Sequence, residues 1–264
     1  MKTIGFIGCG NMGGAIMGGL IAKGYADGDH IIVADKNKAQ LEKAAETMGV
    51  CTTTDNLEAA KADVLFLAVK PQYYETVITE IRDVVTEEQL IITIAPGWSL
   101  ERLAAVFGKK LQIIRTMPNT PALVGEGNIA VTPGAFVTKE NVETGLEILR
   151  CCGKAHIIPE NLMDAAVAVS GSSPAYVFMM IEAMADAAVL DGMPRAQAYE
   201  FAAQAVYGSA KMVLETGRHP GELKDMVCSP AGTTIEAVRV LEEKGFRSSI
   251  IEAMQACTRK TRGM

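Results

Sequence analysis

The stretch IGFIGCGNMGG, residues 4–14, constrains this chain more than any other. A short apolar run ends in Gly8, and the glycines follow as Gly8-x-Gly10-x-x-Gly13 at the start of a helical stripe from Asn11 to Lys23. A bare GxGxxG is weak, but strand, glycine turn and helix in that order form the first unit of a dinucleotide-binding fold. Gly8 permits the tight turn, Gly10 lets backbone approach a pyrophosphate, and Gly13 lets helix and strand pack closely. The helix start, at Asn11 and Met12, then offers free N–H groups and a positive dipole end to the phosphates. The same stretch imitates a signal peptide, with one lysine before an apolar run. The glycine spacing favours the nucleotide turn.

The pattern continues as apolar runs alternating with helices. HIIVAD reads as a second strand, Lys38 to Met48 as a helix ended by Gly49, and Val50 to Thr52 as a short third strand. ADVLFLAV, QLIITIA, LQIIRTMP and GNIAVTP follow. Runs of Val, Ile and Leu without strict alternation suit strands buried on both faces. Strands alternating with helices imply a parallel, doubly wound sheet. From about Asn161 only helices are expected, dense in Ala and Met. The expected fold is therefore a Rossmann-like α/β domain over residues 1–160 and an all-helical domain over 161–264. So apolar a helical domain is expected to bury a face against another subunit. Its run from Ala165 to Leu190 reads as too interrupted for a membrane span, broken by Pro174 and carrying Glu182 and Asp186.

Charge and cysteines narrow the partners. With 25 basic and 31 acidic residues the net charge is −6, which argues against nucleic acid or an anionic membrane as the main partner. Six cysteines without a CxxC, and three histidines far apart in sequence, fit neither a disulfide framework nor a metal site. Free thiols in a reducing, cytoplasmic compartment are expected.

Asp35 ends the second strand about 20 residues beyond the glycine turn, where an acid binds the adenosine ribose of NAD. Lys36, Asn37 and Lys38 follow at once and suit the 2′-phosphate of NADPH, so both cofactors stay open. AVKPQ, with Lys70 as a cofactor contact, and IAPG close strands at the carboxyl edge of the sheet, where ligands lie. MPNTP reads first as a rigid turn; Asn119 is its uncharged hydrogen-bonding candidate for the cofactor. SGSSPAYVF places serines ahead of Pro174, which helix capping alone explains; Ser172 is kept as a substrate candidate. CSPAGTT repeats that logic, either as a cap or as an anion site where the amides of Gly232 to Thr234 grip a carboxylate.

Taken together and in order, GFIGCGNMGGAI, LAVKPQ, RTMPNTPALVGEG, SGSSPAYVF and VCSPAGTTIEAVRVLEEKGFR resemble the Δ1-pyrroline-5-carboxylate reductase family nearly end to end. The resemblance implies a Rossmann domain and a helical domain that interlocks with a second subunit, as a homodimer or an oligomer of dimers. It implies NADPH- or NADH-dependent reduction of 1-pyrroline-5-carboxylate to L-proline. Carried onto this chain, the dinucleotide contacts are Phe6, Ile7, Gly8, Cys9, Gly10 and Asn11, then Asn56, then Ala68, Val69, Lys70 and Pro71, then Ile94, Ala95 and Pro96. Ser229, Gly232, Thr233 and Thr234 bind the substrate carboxylate, with the Thr234 hydroxyl beside the ring nitrogen. Two positions depart from the family pattern: Ser173 and Ala231 each stand where glycine is usual. Ala231 is expected to be harmless on a negative φ. The alternatives are a β-hydroxyacid dehydrogenase relying on Lys211, and a dinucleotide sensor without turnover.

Overall fold

Ile4–Ile7 and Val64–Leu67 are buried along their whole length, as runs without a polar side chain must be in a sheet covered on both faces, and Leu90–Thr93 is buried with them. The computed structural model describes residues 2–263. Its eight-stranded sheet contains β1 (Ile4–Ile7), β2 (Ile31–Ala34), β3 (Cys51–Thr53), β4 (Val64–Leu67), β5 (Leu90–Thr93), β6 (Gln112–Met117), β7 (Gly127–Pro133) and β8 (Gly153–Ile157). The order is β3-β2-β1-β4-β5-β6-β7-β8, so the chain reverses direction across the sheet between β1 and β4. Strands β1 to β6 pair in parallel, with Ile4 opposite both Ile31 and Val64.

Helices α1 (Asn11–Ala22), α2 (Lys38–Met48), α3 (Asn56–Ala59), α4 (Tyr74–Ile81), α5 (Leu100–Phe107) and α6 (Lys139–Arg150) cover the sheet. One core joins Ile16, Met17 and Leu20 of α1 to Phe6 and Phe66, whose rings stack at 4.6 Å. The other joins Ile7 and Leu67 to Tyr74, Ile78 and Trp98.

The sheet departs from the expected all-parallel form at one edge. β7 runs antiparallel to β6. The link between them, residues 118–126, is too short for the crossover that a parallel pair needs. β8 then pairs parallel to β7. No apolar run announces β8, because its residues, GKAHI, are mostly exposed.

Arg115 on β6 is buried, and its Nη1 donates to Glu160 Oε1 at 2.8 Å. The same oxygen accepts from the backbone N–H of Leu100, at the start of α5. Removing one partner of such a pair leaves an uncompensated buried charge. Glu160→Ala is therefore expected to cost about 3 kcal/mol, lowering Tm by roughly 6–12 °C. Thermal unfolding beside Glu160→Gln, which keeps the acceptor for both donors, checks this.

The later helices are α7 (Met163–Ala166), α8 (Ser173–Leu190), α9 (Arg195–Thr216), α10 (Pro220–Val227), α11 (Thr233–Glu243) and α12 (Phe246–Thr261). Pro174 does not break this run as expected; helix continues from Glu160 to Leu190, long and apolar enough by length and composition to cross a membrane. A π-turn over Val167–Gly171 absorbs the irregularity, with Ser172 N–H donating to Val167 C=O. Pro174 has no N–H for the Ser170 carbonyl four residues back. Asn119 Nδ2 donates to that carbonyl instead, at 2.9 Å.

Two compact units result. The first is Met1–Ser172 with Thr258–Met264, and the second is Ser173–Cys257. The sequence reading ends its first domain at residue 160; the first unit runs on to Ser172, and Ser170 is tied to the sheet domain by Asn119. Arg262 returns to the first unit through an ion pair with Asp164. In the second unit, α8 and α9 pack on each other.

Candidate functional site

A cavity of about 540 Å³ opens in the first unit where strand order reverses, beyond the carboxyl ends of β1, β2 and β4. Ile7, Gly8 and Gly10 line it from the β1–α1 turn, Asp35 and Lys36 from the end of β2, and Ala68, Val69 and Lys70 from the end of β4. Asn56 joins them, so these expected cofactor residues surround one space. Thr76, Val77 and Glu80 of α4, with Gln40 of α2, also line the wall. No motif marks these four: Gln40, Thr76 and Glu80 are ordinary exposed helix residues and Val77 is a core residue, until the fold sets them beside the glycine turn.

The glycines have distinct reasons. Gly8 has φ +110°, and a Cβ there would lie 2.6 Å from the Ala68 carbonyl carbon and oxygen. A Cβ on Gly13 would lie 2.7 Å from the Gly8 oxygen, so Gly13 is demanded by helix–strand packing. Around Gly10 nothing lies within 4 Å, which is the open approach a phosphate needs. Gly10 caps α1 without any side-chain bond, leaving the first-turn N–H groups, at Asn11 and Met12, without side-chain competition.

Asp35 is a brace as well as part of the cavity wall. Its Oδ2 accepts from Cys9 N–H at 2.7 Å and its Oδ1 from Asn37 N–H at 2.8 Å, so it braces the glycine turn against the β2–α2 turn. Each oxygen keeps a lone pair for a hydroxyl, while exposed Lys36 and Lys38 stand beside it. Asn56 Nδ2 donates to Glu80 Oε2 at 2.9 Å, which fixes the amide orientation, since the carboxylate can only accept.

Other expected contacts sit differently. The Phe6 side chain is fully buried on Phe66, so only its backbone belongs near the turn. Burial, with Asp35 nearby, raises the pKa of the Cys9 thiol, leaving it a packing group. The Pro71 carbonyl accepts from Trp98 Nε1 at 3.0 Å. The Ile94 N–H donates to Tyr74 Oη, and Tyr74 Oη donates to the Leu67 carbonyl, tying the ends of β4 and β5 together. Ala95 is buried and Pro96 exposed beyond β5. Asn119 is buried with both ends of its amide engaged: Nδ2 on Ser170, and Oδ1 accepting from Asn128 N–H at 2.8 Å. Its geometry is that of a brace between the β6 end, β7 and the π-turn. Ser172 ends that π-turn.

In the second unit, residues 228–232 join α10 to α11. Gly232 N–H donates to the Ser229 carbonyl at 3.0 Å, closing a β-turn. That amide is engaged in the turn; the N–H groups left to an anion are those of the first turn of α11, from Thr233 and Thr234 onward. Gly232 caps α11 without a side-chain bond. Ala231 contradicts the expectation of a negative φ: it lies at +56°. A type II turn with Pro230 second requires φ above zero at its third position, and Ala231 occupies it. Lys211, the residue a β-hydroxyacid dehydrogenase would need, instead faces solvent and pairs with Glu215 at 3.5 Å.

Residues 160–264 match the family model described as pyrroline-5-carboxylate reductase dimerisation. Residues 3–97 match the one described as NADP oxidoreductase coenzyme F420-dependent. The pyrroline-5-carboxylate reductase of Escherichia coli is 57% identical over 98% of this chain and 97% of its own length. The chain belongs to the pyrroline-5-carboxylate reductase family. A solved pyrroline-5-carboxylate reductase of Coxiella burnetii superposes with a TM-score of 0.91 at 36% identity, covering 99% of this chain and 98% of that one. The Plasmodium falciparum pyrroline carboxylate reductase, solved with NADP bound, gives 0.91 at 30% identity, covering 99% and 97%.

Proposed function

We infer that this chain is an NAD(P)H-dependent oxidoreductase that reduces 1-pyrroline-5-carboxylate to L-proline, the last step of proline biosynthesis. The observation that carries the reading is the cavity behind an uncapped glycine turn, on a chain 57% identical to a named reductase over 98% of its length. Bound there, the reduced dinucleotide supplies a hydride, which adds to C5 of the cyclic imine while the ring nitrogen takes a proton. This chain's own residues bind and orient. The Gly8–Gly13 turn and the α1 start receive the pyrophosphate. Asp35, Lys36 and Asn56 hold the adenosine end. The first-turn N–H groups of α11 hold the substrate carboxylate, and the Thr234 hydroxyl serves the ring nitrogen. An imine nitrogen is basic enough to be protonated without a strong acid, which fits a turn with no carboxylate, lysine or histidine among residues 229–234.

The chain associates with itself. The surface proposed for this is the exposed apolar face of the second unit, with Phe178, Met179, Phe201 and Leu214. Burial there accounts for the apolar run to Leu190 without a membrane, as a dimer or an oligomer of dimers. The six free cysteines suit a reducing cytoplasm.

The assay follows absorbance of NADPH and of NADH with pyrroline-5-carboxylate, and then with a β-keto acid. Oxidation with the imine alone is expected. No oxidation with the imine sinks the reading.

A further inference from the structure

Among the residues that line the cavity, Asn56 is the polar one that is buried, at 8% exposure. Its helix, α3, packs on both β2 and α4, so Asn56, Asp35 and Glu80 share one wall. Asn56 Nδ2 donates to Glu80 Oε2 at 2.9 Å. A carboxylate has no hydrogen to give, so the amide cannot turn over without setting oxygen against oxygen. Asn56 Oδ1 has no hydrogen-bond partner among the described residues. Nor is it one of their sealed, unpartnered polar atoms, which are His30 Nδ1 and Thr93 Oγ1. It therefore opens on the cavity that Asn56 lines. Asp35, whose two oxygens accept from Cys9 and Asn37 N–H, is likewise an acceptor only. Two such acceptors suit ribose hydroxyls, which donate, whereas a 2′-phosphate brings acceptors and negative charge. Lys36, in the same wall, is the group that suits the phosphate.

We propose that Glu80 is a positioning residue that sets cofactor specificity: it holds the Asn56 amide oxygen outward and adds a second carboxylate to the wall, shifting the site toward the 2′-hydroxyl of NADH and against the 2′-phosphate of NADPH. Glu80 acts through Asn56 and need not touch the dinucleotide. Its two effects have the same sign. The outward oxygen rewards a donor hydroxyl, and the carboxylate repels a phosphate. Lys36 pulls the other way, so the balance between the cofactors is struck between Lys36 and the Glu80–Asn56 pair. The inference rests on the reading of the cavity as the dinucleotide site.

The test measures Kd for NADH and for NADPH by nucleotide fluorescence on the full chain. It compares wild type, Glu80→Gln, and Glu80→Gln combined with Asn56→Asp. In Glu80→Gln the two amides can bond in either sense, so a 2′-phosphate can select the form with the N–H outward. NADH should bind about three- to tenfold more weakly, the loss of one well-placed acceptor. NADPH should bind no more weakly than in wild type, so the ratio of the NADPH Kd to the NADH Kd should fall about threefold or more. The double variant exchanges donor and acceptor. The introduced glutamine donates, and the introduced aspartate keeps an oxygen and a negative charge on the cavity side. It should return the ratio to within about twofold of wild type. Glu80 is exposed, so Tm should stay within about 1–2 °C in Glu80→Gln. A merely structural contact would change both dissociation constants by the same factor, and the ratio would not respond to either variant; that result, or a double variant that fails to restore the ratio, overturns the inference. Wild type that binds neither dinucleotide would instead sink the reading of the cavity beneath it.

Discussion

Gly8→Ala is expected to weaken dinucleotide binding by at least about a hundredfold, combining left-handed strain with a backbone clash. The added Cβ would lie 2.6 Å from the Ala68 carbonyl and 2.9 Å from Val69 N, all backbone atoms that no rotamer change can clear. Neither side can retreat cheaply. Gly8 N–H donates to the Ala34 carbonyl and Ala68 N–H to the Ile7 carbonyl, each at 2.8 Å, so the turn is locked between β2 and β4. At φ +110° the position also lies where side chains are rare. The displaced residues, Ala68 and Val69, are cavity wall. Titration of NADPH fluorescence measures the loss, and calorimetry should show a lower Tm as well. Gly10→Ala is the contrast: its Cβ meets nothing within 4 Å, so the fold should hold while the ligand's approach is blocked. Unchanged affinity in Gly8→Ala would remove the cavity as the dinucleotide site.

What sequence conveys here divides by range. β1 and β4 are legible because total burial forces unbroken apolar runs. Gly8 and Gly13 are legible because their demands are met within one turn and one helix. β8 is not, since its exposed residues carry no period and only its pairing with β7 makes it a strand. Asn119 shows a subtler limit. A polar residue between prolines suggests a ligand contact, yet its amide satisfies Ser170 and Asn128, which only folding brings near. Glu80 escapes for the same reason: twenty-four residues separate it from Asn56. Ala231 was misjudged because φ is set by the turn around a residue. The turn that follows Pro230 takes the form whose third position has positive φ, a conformation that alanine's own preference opposes.

Thr234→Ala is expected to lower kcat/KM by about tenfold to a thousandfold, the range for losing a positioned proton donor or hydrogen-bond partner. Thr234 is the second residue of α11, half-buried, two places beyond the N-cap Gly232. Its hydroxyl is the one side chain beside the first-turn amides that is assigned to the ring nitrogen. A carboxylate held on those amides fixes one end of the substrate, and the hydroxyl then orients the other. Because nitrogen gains its proton as hydride adds, the bond should strengthen in the transition state, so the loss should fall mainly on kcat. Thr234→Ser keeps the hydroxyl and should recover most of the activity. The cap of α11 is Gly232, so Thr234→Ala should leave Tm within about 1–2 °C, and NADPH affinity should not move. A hydroxyl does not titrate near neutral pH, so the pH profile of kcat/KM should keep its shape in the variant and only drop in height. A profile that changes shape would point to a titrating group in place of Thr234, and an unchanged kcat/KM would remove Thr234 from the mechanism.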